Sequence, residues 1–269
     1  MAHFVIADKI DLPGKGEDFF RFDSSNVSAI ACISDGGSRS EQSQQGAQIV
    51  ANTAYRLMQS TDEKAELKHD YVSLYKEITT EINQQAESYL RLSEEPHSLF
   101  ATTLITGYIR EFVAEFSYVG NGAILQITKE WWDLTDDNLM LLGINNYLNP
   151  HIRLKDGDTP LYKVLKFNRN DKNAEPDIIT ISSSIVPDSL FLLCTDGLYS
   201  AEDFSFFHHP QEGDFYRKEN PRLMLFLQTL KSHRESIRTN PDEFMVAFRE
   251  RIQKSDLLND DLTYALFIP

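Results

Sequence analysis

Two Asp-Gly pairs stand where strongly apolar runs end, and their carboxylates are well placed to do chemistry. The first pair, at 35–36, follows the apolar run 29–33, and the second, at 196–197, follows the run 190–194. A strand that ends in Asp-Gly delivers a carboxylate to the edge of a sheet. The glycine lets the backbone approach a neighbouring group without a side chain in the way.

Acidic pairs at 17–18 and 260–261 border two further apolar runs. Carboxylates, a backbone carbonyl and water are the ligands that Mg²⁺ and Mn²⁺ prefer in proteins. Several carboxylates in one place repel one another, and a divalent cation would relieve that repulsion. The pattern therefore predicts a metal site, although a single Asp-Gly pair is also a common turn with no further role.

Alternating and helical hydrophobic periods predict the elements that must position these residues. Helical spacing predicts long amphipathic helices over about 40–60 and 66–91, and later helices that start at Pro221 and Asn240. Strands are predicted at 4–7, 19–22, 27–33, 101–106, 112–119, 123–127, 190–194 and 262–268. Residues 133–176 are predicted as loops around short elements. The order of elements predicts an α+β fold in which helices cover antiparallel sheets.

Composition and charge exclude several classes of protein. The 269 residues include 41 Asp and Glu against 26 Lys and Arg, for a formal charge of −15. Such a charge argues against a non-specific nucleic-acid binder and against a surface that seeks anionic lipid, so we expect no nucleic-acid or membrane partner. Cys32 and Cys194 lie far apart in apolar runs, which favours two buried thiols over a disulfide or a cysteine zinc site. We expect a soluble, cytoplasmic protein.

Six short motifs, in order along nearly the whole chain, resemble the metal-dependent protein phosphatase family of the protein phosphatase 2C type. They are Gly-Glu-Asp at 16–18, Ile-Ser-Asp-Gly-Gly at 33–37, Ala-Thr-Thr-Leu at 101–104, Tyr-Val-Gly-Asn-Gly at 118–122, Leu-Cys-Thr-Asp-Gly-Leu at 193–198 and Asp-Asp-Leu-Thr at 260–263. The resemblance implies one domain over residues 1–269, built as a four-layer α-β-β-α sandwich. Two central antiparallel sheets would be flanked by helix pairs.

The resemblance also implies a centre of two Mn²⁺ or Mg²⁺ ions at one end of the sandwich. Asp35 would bridge the two ions and Gly36 would offer its carbonyl to one of them. Asp196 and Asp260 would bind the other ion, and Asp18 would act mainly through water. The ions would activate a water molecule to hydrolyse phosphoserine or phosphothreonine in a protein.

The chain departs from the family pattern at positions that affect phosphate capture and leaving-group protonation. Gly37 stands where the family usually has histidine, and Pro13 where it has a phosphate-binding arginine. Arg39 is the expected substitute for the phosphate contact, with Lys15 as a second cation nearby, although Arg39 could also be an ordinary surface residue. Asn121 replaces an acidic residue that helps to bind a third, weaker ion in the family.

Two functions of different classes follow from this pattern. The first is a metal-dependent serine/threonine phosphatase in signalling, whose substrate is a phosphorylated protein such as a partner kinase or its target. The second is a pseudophosphatase or weakly active member that serves as a signalling interaction module. An unrelated two-metal hydrolase such as a nuclease is disfavoured, because polyanionic substrates reward extended positive surfaces.

Overall fold

Two five-stranded antiparallel sheets form the centre of the computed structural model. The strands are β1 Phe4–Ile10, β2 Phe19–Ser24, β3 Ser28–Ser34, β4 Leu104–Arg110, β5 Val113–Val119, β6 Ala123–Thr128, β7 Tyr147–Leu148, β8 Leu154–Lys155, β9 Thr159–Pro160, β10 Asp177–Ile181, β11 Ser189–Cys194, β12 Ser205–His209, β13 Gly213–Arg217 and β14 Leu262–Ile268. The first sheet has the order β1-β14-β11-β6-β7 and the second the order β10-β5-β4-β3-β2. Two small hairpins, β8-β9 and β12-β13, stand apart from them.

Four helices complete the described structure: α1 Ser43–Glu63, α2 Tyr71–Ala86, α3 Pro221–Ser232 and α4 Pro241–Lys254. None of them is long and apolar enough to cross a membrane. The structure describes residues 4–37, 42–63, 70–86, 100–111, 113–120, 122–128, 147–148, 154–155, 159–160, 177–181, 189–199, 205–209, 213–217 and 221–268.

Three apolar layers hold these elements together and make the fold a four-layer α-β-β-α sandwich. One layer lies between α1, α2 and the second sheet, one between the two sheets, and one between the first sheet and α3 and α4. The position of strand β3 explains why its sequence is continuously apolar. Ala31 and Ile33 face the layer between the sheets, whereas Ile30 and Cys32 face the helices, so both faces of the strand are buried.

The predicted fold class is confirmed, and the differences lie mainly in the boundaries of elements. Helices α1 and α2 begin later than predicted, and residues 87–91 of the second predicted helix lie outside the described residues. The strand predicted at 101–106 begins at Leu104, because the threonines before it bond to a neighbouring turn instead of extending the ladder. Strands β10, β12 and β13 were not predicted from the sequence. Within 133–176 the described parts are the two-residue strands β7, β8 and β9.

Candidate metal centre

Asp35 lies one residue beyond β3, and the segment before β4 holds its main chain on both sides. The Asp35 carbonyl accepts hydrogen bonds from the Thr103 backbone N–H at 2.8 Å and from the Thr102 hydroxyl at 2.6 Å. The Asp35 backbone N–H donates to the Thr103 hydroxyl at 3.0 Å. These bonds fix the direction of the Asp35 side chain and explain why two threonines occur at this place in the sequence.

Gly36 brings the Asp35 turn against two other segments of the chain. A Cβ atom on Gly36 would lie 2.8 Å from the Ser43 carbonyl oxygen and 2.9 Å from the Glu17 carbonyl oxygen. Both distances are shorter than real Cβ atoms show, so a larger residue would push the segments apart. The glycine thus serves close packing, which places Asp35 beside the segment that carries Asp18.

Asp18 is a buried carboxylate with an incomplete set of hydrogen bonds. Its side chain is 1% exposed. The Thr195 hydroxyl donates to Asp18 Oδ2 at 2.9 Å, whereas Oδ1 has no donor among the described residues. Burial raises the pKa of Asp18 to about 7, against the lowering effect of its hydrogen bonds. A buried oxygen with no donor is costly unless a cation or proton compensates it.

Asp35 and Asp18 lie close enough for each carboxyl group to affect the pKa of the other. Burial is the main reason why the pKa of Asp35 lies well above its usual range, and the charges of Asp18 and Asp196 raise it further. Asp260 adds a smaller contribution of the same sign. Carboxylates from four separate segments of the chain therefore act on one another at this end of the sandwich.

Asp196 and Asp260 meet because β11 and β14 are neighbours in the first sheet. The Thr195 backbone N–H donates to the Thr263 carbonyl at 2.9 Å, just beyond the paired part of the two strands. A Cβ atom on Gly197 would lie 1.9 Å from the Asp261 carbonyl oxygen. The turn after β11 and the segment before β14 thus pack backbone to backbone, and each places an aspartate at the same edge.

Two cations accompany this second pair of aspartates. Lys15 Nζ lies 2.7 Å from Asp260 Oδ1. Arg222, half-buried near the start of α3, donates a hydrogen bond to the Asn259 side chain. Burial lowers the pKa of Arg222, and the charges of Asp196 and Asp260 oppose that effect. Lys15 was expected near the site, whereas Arg222 carries no motif that could have identified it.

Asp261 has a structural role that the sequence did not reveal. Its side chain is 3% exposed, and its two oxygens accept backbone hydrogen bonds from the loop that precedes Asp18. The donors are Leu12 at 2.7 Å, Gly16 at 2.6 Å and Glu17 at 2.7 Å. The three bonds make it an anchor for the loop.

The donor chemistry of this end of the sandwich suits a hard divalent cation. Carboxylate oxygens are the ligands that such a cation prefers, and one buried oxygen of Asp18 lacks a donor among the described residues. Among the described residues, no three Asp, Glu, His or Cys side chains stand together in a ready-made metal-binding group. These carboxylate oxygens are the right kind of ligand for a divalent ion. In this structure, however, Asp260 forms a salt bridge with Lys15, and Asp18 interacts with Asp35.

The remaining predicted positions are Gly37, Arg39 and Asn121. The Gly37 backbone N–H donates to the Ala101 carbonyl at 2.8 Å. The predicted phosphate contact Arg39, and Asn121 of the β5-β6 hairpin, lie outside the described residues.

The family model for protein phosphatase 2C matches residues 15–239. The fold also matches solved structures. RsbX in complex with magnesium aligns with a TM-score of 0.55 and 13% identity over 99% of this chain and 94% of that one. Stp1, a serine/threonine phosphatase from Staphylococcus aureus, aligns with a TM-score of 0.54 and 13% identity over 98% and 93%. A bacterial serine phosphatase aligns with a TM-score of 0.53 and 14% identity over 98% and 96%.

A comparison with curated proteins found no match. At these identities the structural neighbours establish the fold, and the family model, which spans most of the chain, establishes the relationship. The chain belongs to the protein phosphatase 2C family.

Proposed function

We propose that this protein is a metal-dependent phosphatase that hydrolyses phosphoserine and phosphothreonine in a protein substrate. The observation that carries the proposal is the packing of the segments that contain the four candidate aspartates: Gly36 lies against Glu17, Gly197 lies against Asp261, and the Thr195 hydroxyl donates to Asp18. Family membership and the magnesium named with RsbX support the same assignment. Two Mn²⁺ or Mg²⁺ ions are the proposed cofactors.

Each proposed ligand has a distinct place in this assignment. Asp35 would bridge the ions, with the Gly36 carbonyl on one of them. Asp196 and Asp260 would hold the other ion, and Asp18 would act mainly through water. Bound divalent ions would neutralise the phosphate dianion and lower the pKa of a water molecule.

The chain's own residues would supply order and polarity around that centre. Thr102 and Thr103 fix the Asp35 backbone, and Thr195 orients Asp18. Arg39 is the proposed contact for the substrate phosphate, because a guanidinium group can bind phosphate through two hydrogen bonds. These groups would hold the phosphoryl group in line, and positioning supplies much of the acceleration in phosphoryl transfer.

A pseudophosphatase that binds a signalling partner, such as a kinase, is the second candidate. Gly37 cannot donate a proton to a leaving group. The salt bridge between Lys15 and Asp260 also favours a site with a weakened metal affinity. Both functions use the same fold, so activity is the property that separates them.

Hydrolysis of p-nitrophenyl phosphate with added Mn²⁺ tests the proposal. We expect turnover that requires Mn²⁺ or Mg²⁺ and that Asp35→Asn and Asp196→Asn abolish. Asp242→Asn, in the first turn of α4, is the matched control for removal of one carboxylate and should keep full activity. No turnover above buffer from pH 6 to pH 9 with either ion would favour the pseudophosphatase. A phosphopeptide panel would then define the substrate of an active enzyme.

A further inference from the structure

Lys15 reaches one of the proposed metal ligands directly. Its ammonium nitrogen lies 2.7 Å from Asp260 Oδ1, and both side chains are partly exposed, at 33% and 41%. The Asp260 carboxylate is the main reason why the pKa of Lys15 is raised, with smaller contributions from Glu17 and Asp261. Lys15 is therefore a full positive charge on a carboxylate that the proposed function assigns to a divalent ion.

The loop that carries Lys15 has a fixed conformation. The Lys15 backbone N–H donates to the Leu12 carbonyl at 3.0 Å, which closes a four-residue turn. Pro13 is the second residue of the turn, and Gly14 is the third, with a φ of 87°. Proline followed by a residue with positive φ is the combination that a type II turn requires. Lys15 thus leaves the turn in a defined direction.

Asp261 attaches this loop to the same segment that contains Asp260. Its carboxylate accepts three backbone hydrogen bonds from the loop, at 2.6 to 2.7 Å. The residue next to the proposed metal ligand therefore sets the position of the lysine that contacts that ligand. A group tethered in this way acts at a high effective concentration, so its contact forms with little further loss of entropy.

We propose that Lys15 is a resident cation of the site, which a divalent ion has to displace from Asp260 in order to bind there. An ammonium group at 2.7 Å and a metal ion both need the lone pairs of the same oxygen, and two cations at one carboxylate repel each other. The chain consequently binds the divalent ion at Asp260 less tightly than the same site would without the lysine. This inference rests on the proposed metal-dependent function.

Arg222 is a second cation near these aspartates. Its guanidinium group donates to the Asn259 side chain and is half-buried, and it acts on Asp196 and Asp260 through its charge. The proposal concerns Lys15 because its contact with Asp260 is direct, at 2.7 Å.

Calorimetric titration of the metal-free, full-length protein with Mn²⁺ tests the inference. The proteins to compare are the wild type, Lys15→Gln and Lys254→Gln. Lys254 pairs with Glu250 at 3.1 Å on α4, so its replacement removes the same charge from an exposed ion pair elsewhere. We expect Lys15→Gln to increase the affinity for Mn²⁺ at Asp260 by about fivefold. This factor corresponds to the energy of one exposed ion pair, which the metal no longer has to break. Lys254→Gln should leave the affinity unchanged.

Acetylation of lysines, followed by mass spectrometry, gives a readout in the unchanged protein. Saturating Mn²⁺ should increase the acetylation rate of Lys15 and leave that of Lys254 constant, because displacement frees the Lys15 ammonium group. An equal or weaker affinity in Lys15→Gln, with Mn²⁺ still bound by the wild type, would overturn this inference and leave the proposed function standing. Failure of all three proteins to bind Mn²⁺ would overturn both.

Discussion

Asp18 and Asp35 form the buried half of the candidate metal centre, and Asp196 and Asp260 form its open half. In the buried half, Asp18 is buried and Asp35 is half-buried, and desolvation raises the pKa of both carboxyl groups. In the open half, the cations Lys15 and Arg222 accompany the aspartates. The same excess of negative charge thus favours protonation in one half and is balanced by cationic side chains in the other.

This difference shows what a divalent ion would have to replace in each half. In the buried half it would displace protons, so binding there would depend on pH. In the open half it would displace Lys15, a competition that depends on charge and salt. Close backbone contacts at Gly36 hold the buried half together and those at Gly197 hold the open half together. The hydrogen bond from the Thr195 hydroxyl to Asp18 joins the two halves.

Gly197→Ala should have the largest effect and would break the contact on which the open half depends. A Cβ atom there would meet the Asp261 carbonyl oxygen at 1.9 Å, so the two segments must separate. We expect a loss of about 3 kcal/mol in the free energy of unfolding, together with weakened Mn²⁺ binding. Urea unfolding and calorimetry would measure the two effects.

Gly37→Ala is the matched control, since its Cβ would lie 3.3 Å from the Ala101 carbonyl oxygen and needs a shift of a few tenths of an ångström. Its cost should be below about 1 kcal/mol. Equal stability of the two alanine variants would show that the close contact at Gly197 is not required.

The pH dependence of stability should distinguish the buried half from the open half. The pKa of Asp18 is raised to about 7 in the folded state, from 3.8 in the unfolded chain, so the folded state binds more protons between these values. The contribution to stability is complete below about pH 4 and is lost as the pH rises through 7. We expect the free energy of unfolding of the metal-free protein to fall by about 2 kcal/mol between pH 5 and pH 7.

Urea unfolding in EDTA at a series of pH values would measure this slope. Asp18→Asn should make the slope shallower, whereas Asp260→Asn, in the open half, should change it much less, because Asp260 acts on this half only through a small charge effect on Asp35. A slope that Asp18→Asn does not change would mean that Asp18 is already ionised in the folded metal-free protein.

Thr195→Val should have a smaller effect, confined to the buried half. The Thr195 hydroxyl donates to Asp18 Oδ2 and accepts the Thr263 backbone N–H, both at 2.9 Å. Valine has the same shape without the hydroxyl, so we expect a cost of about 1.5 kcal/mol and a weaker Mn²⁺ affinity. Thr195→Ser keeps the hydroxyl and should recover the metal affinity. If valine and serine variants bound Mn²⁺ equally, the hydroxyl would have no role in orienting Asp18.

The positions of the candidate ligands could be predicted from the sequence because their signal is local. Asp35 and Asp196 follow buried strands whose two apolar faces produce a continuous hydrophobic run. A run of that kind followed by Asp-Gly is visible without any knowledge of the fold. The same holds for the four helices. Their hydrophobic periodicity predicts that each helix is present, but it does not fix the residues at which the helix begins and ends.

The contacts that balance the negative charge of the site could not be predicted from the sequence, because they join residues that are far apart in the chain. Lys15 and Asp260 are 245 positions apart, as are Gly16 and Asp261. Arg222 belongs to a helix whose sequence shows an apolar face and no motif. Thr195 is next to Asp196 in the sequence, and its bond to Asp18 depends on the packing of the first sheet, which contains β11, against the second sheet, in which β2 follows Asp18.

The sequence by itself determined the fold class, the family resemblance and the identity of the acidic residues, because hydrophobic period and turn chemistry are properties of short segments. Tertiary structure decided which carboxylates are buried, which have a cation beside them, and which glycines are required for contact between segments. Burial and charge pairing depend on distances across the sheets, and strand order sets those distances.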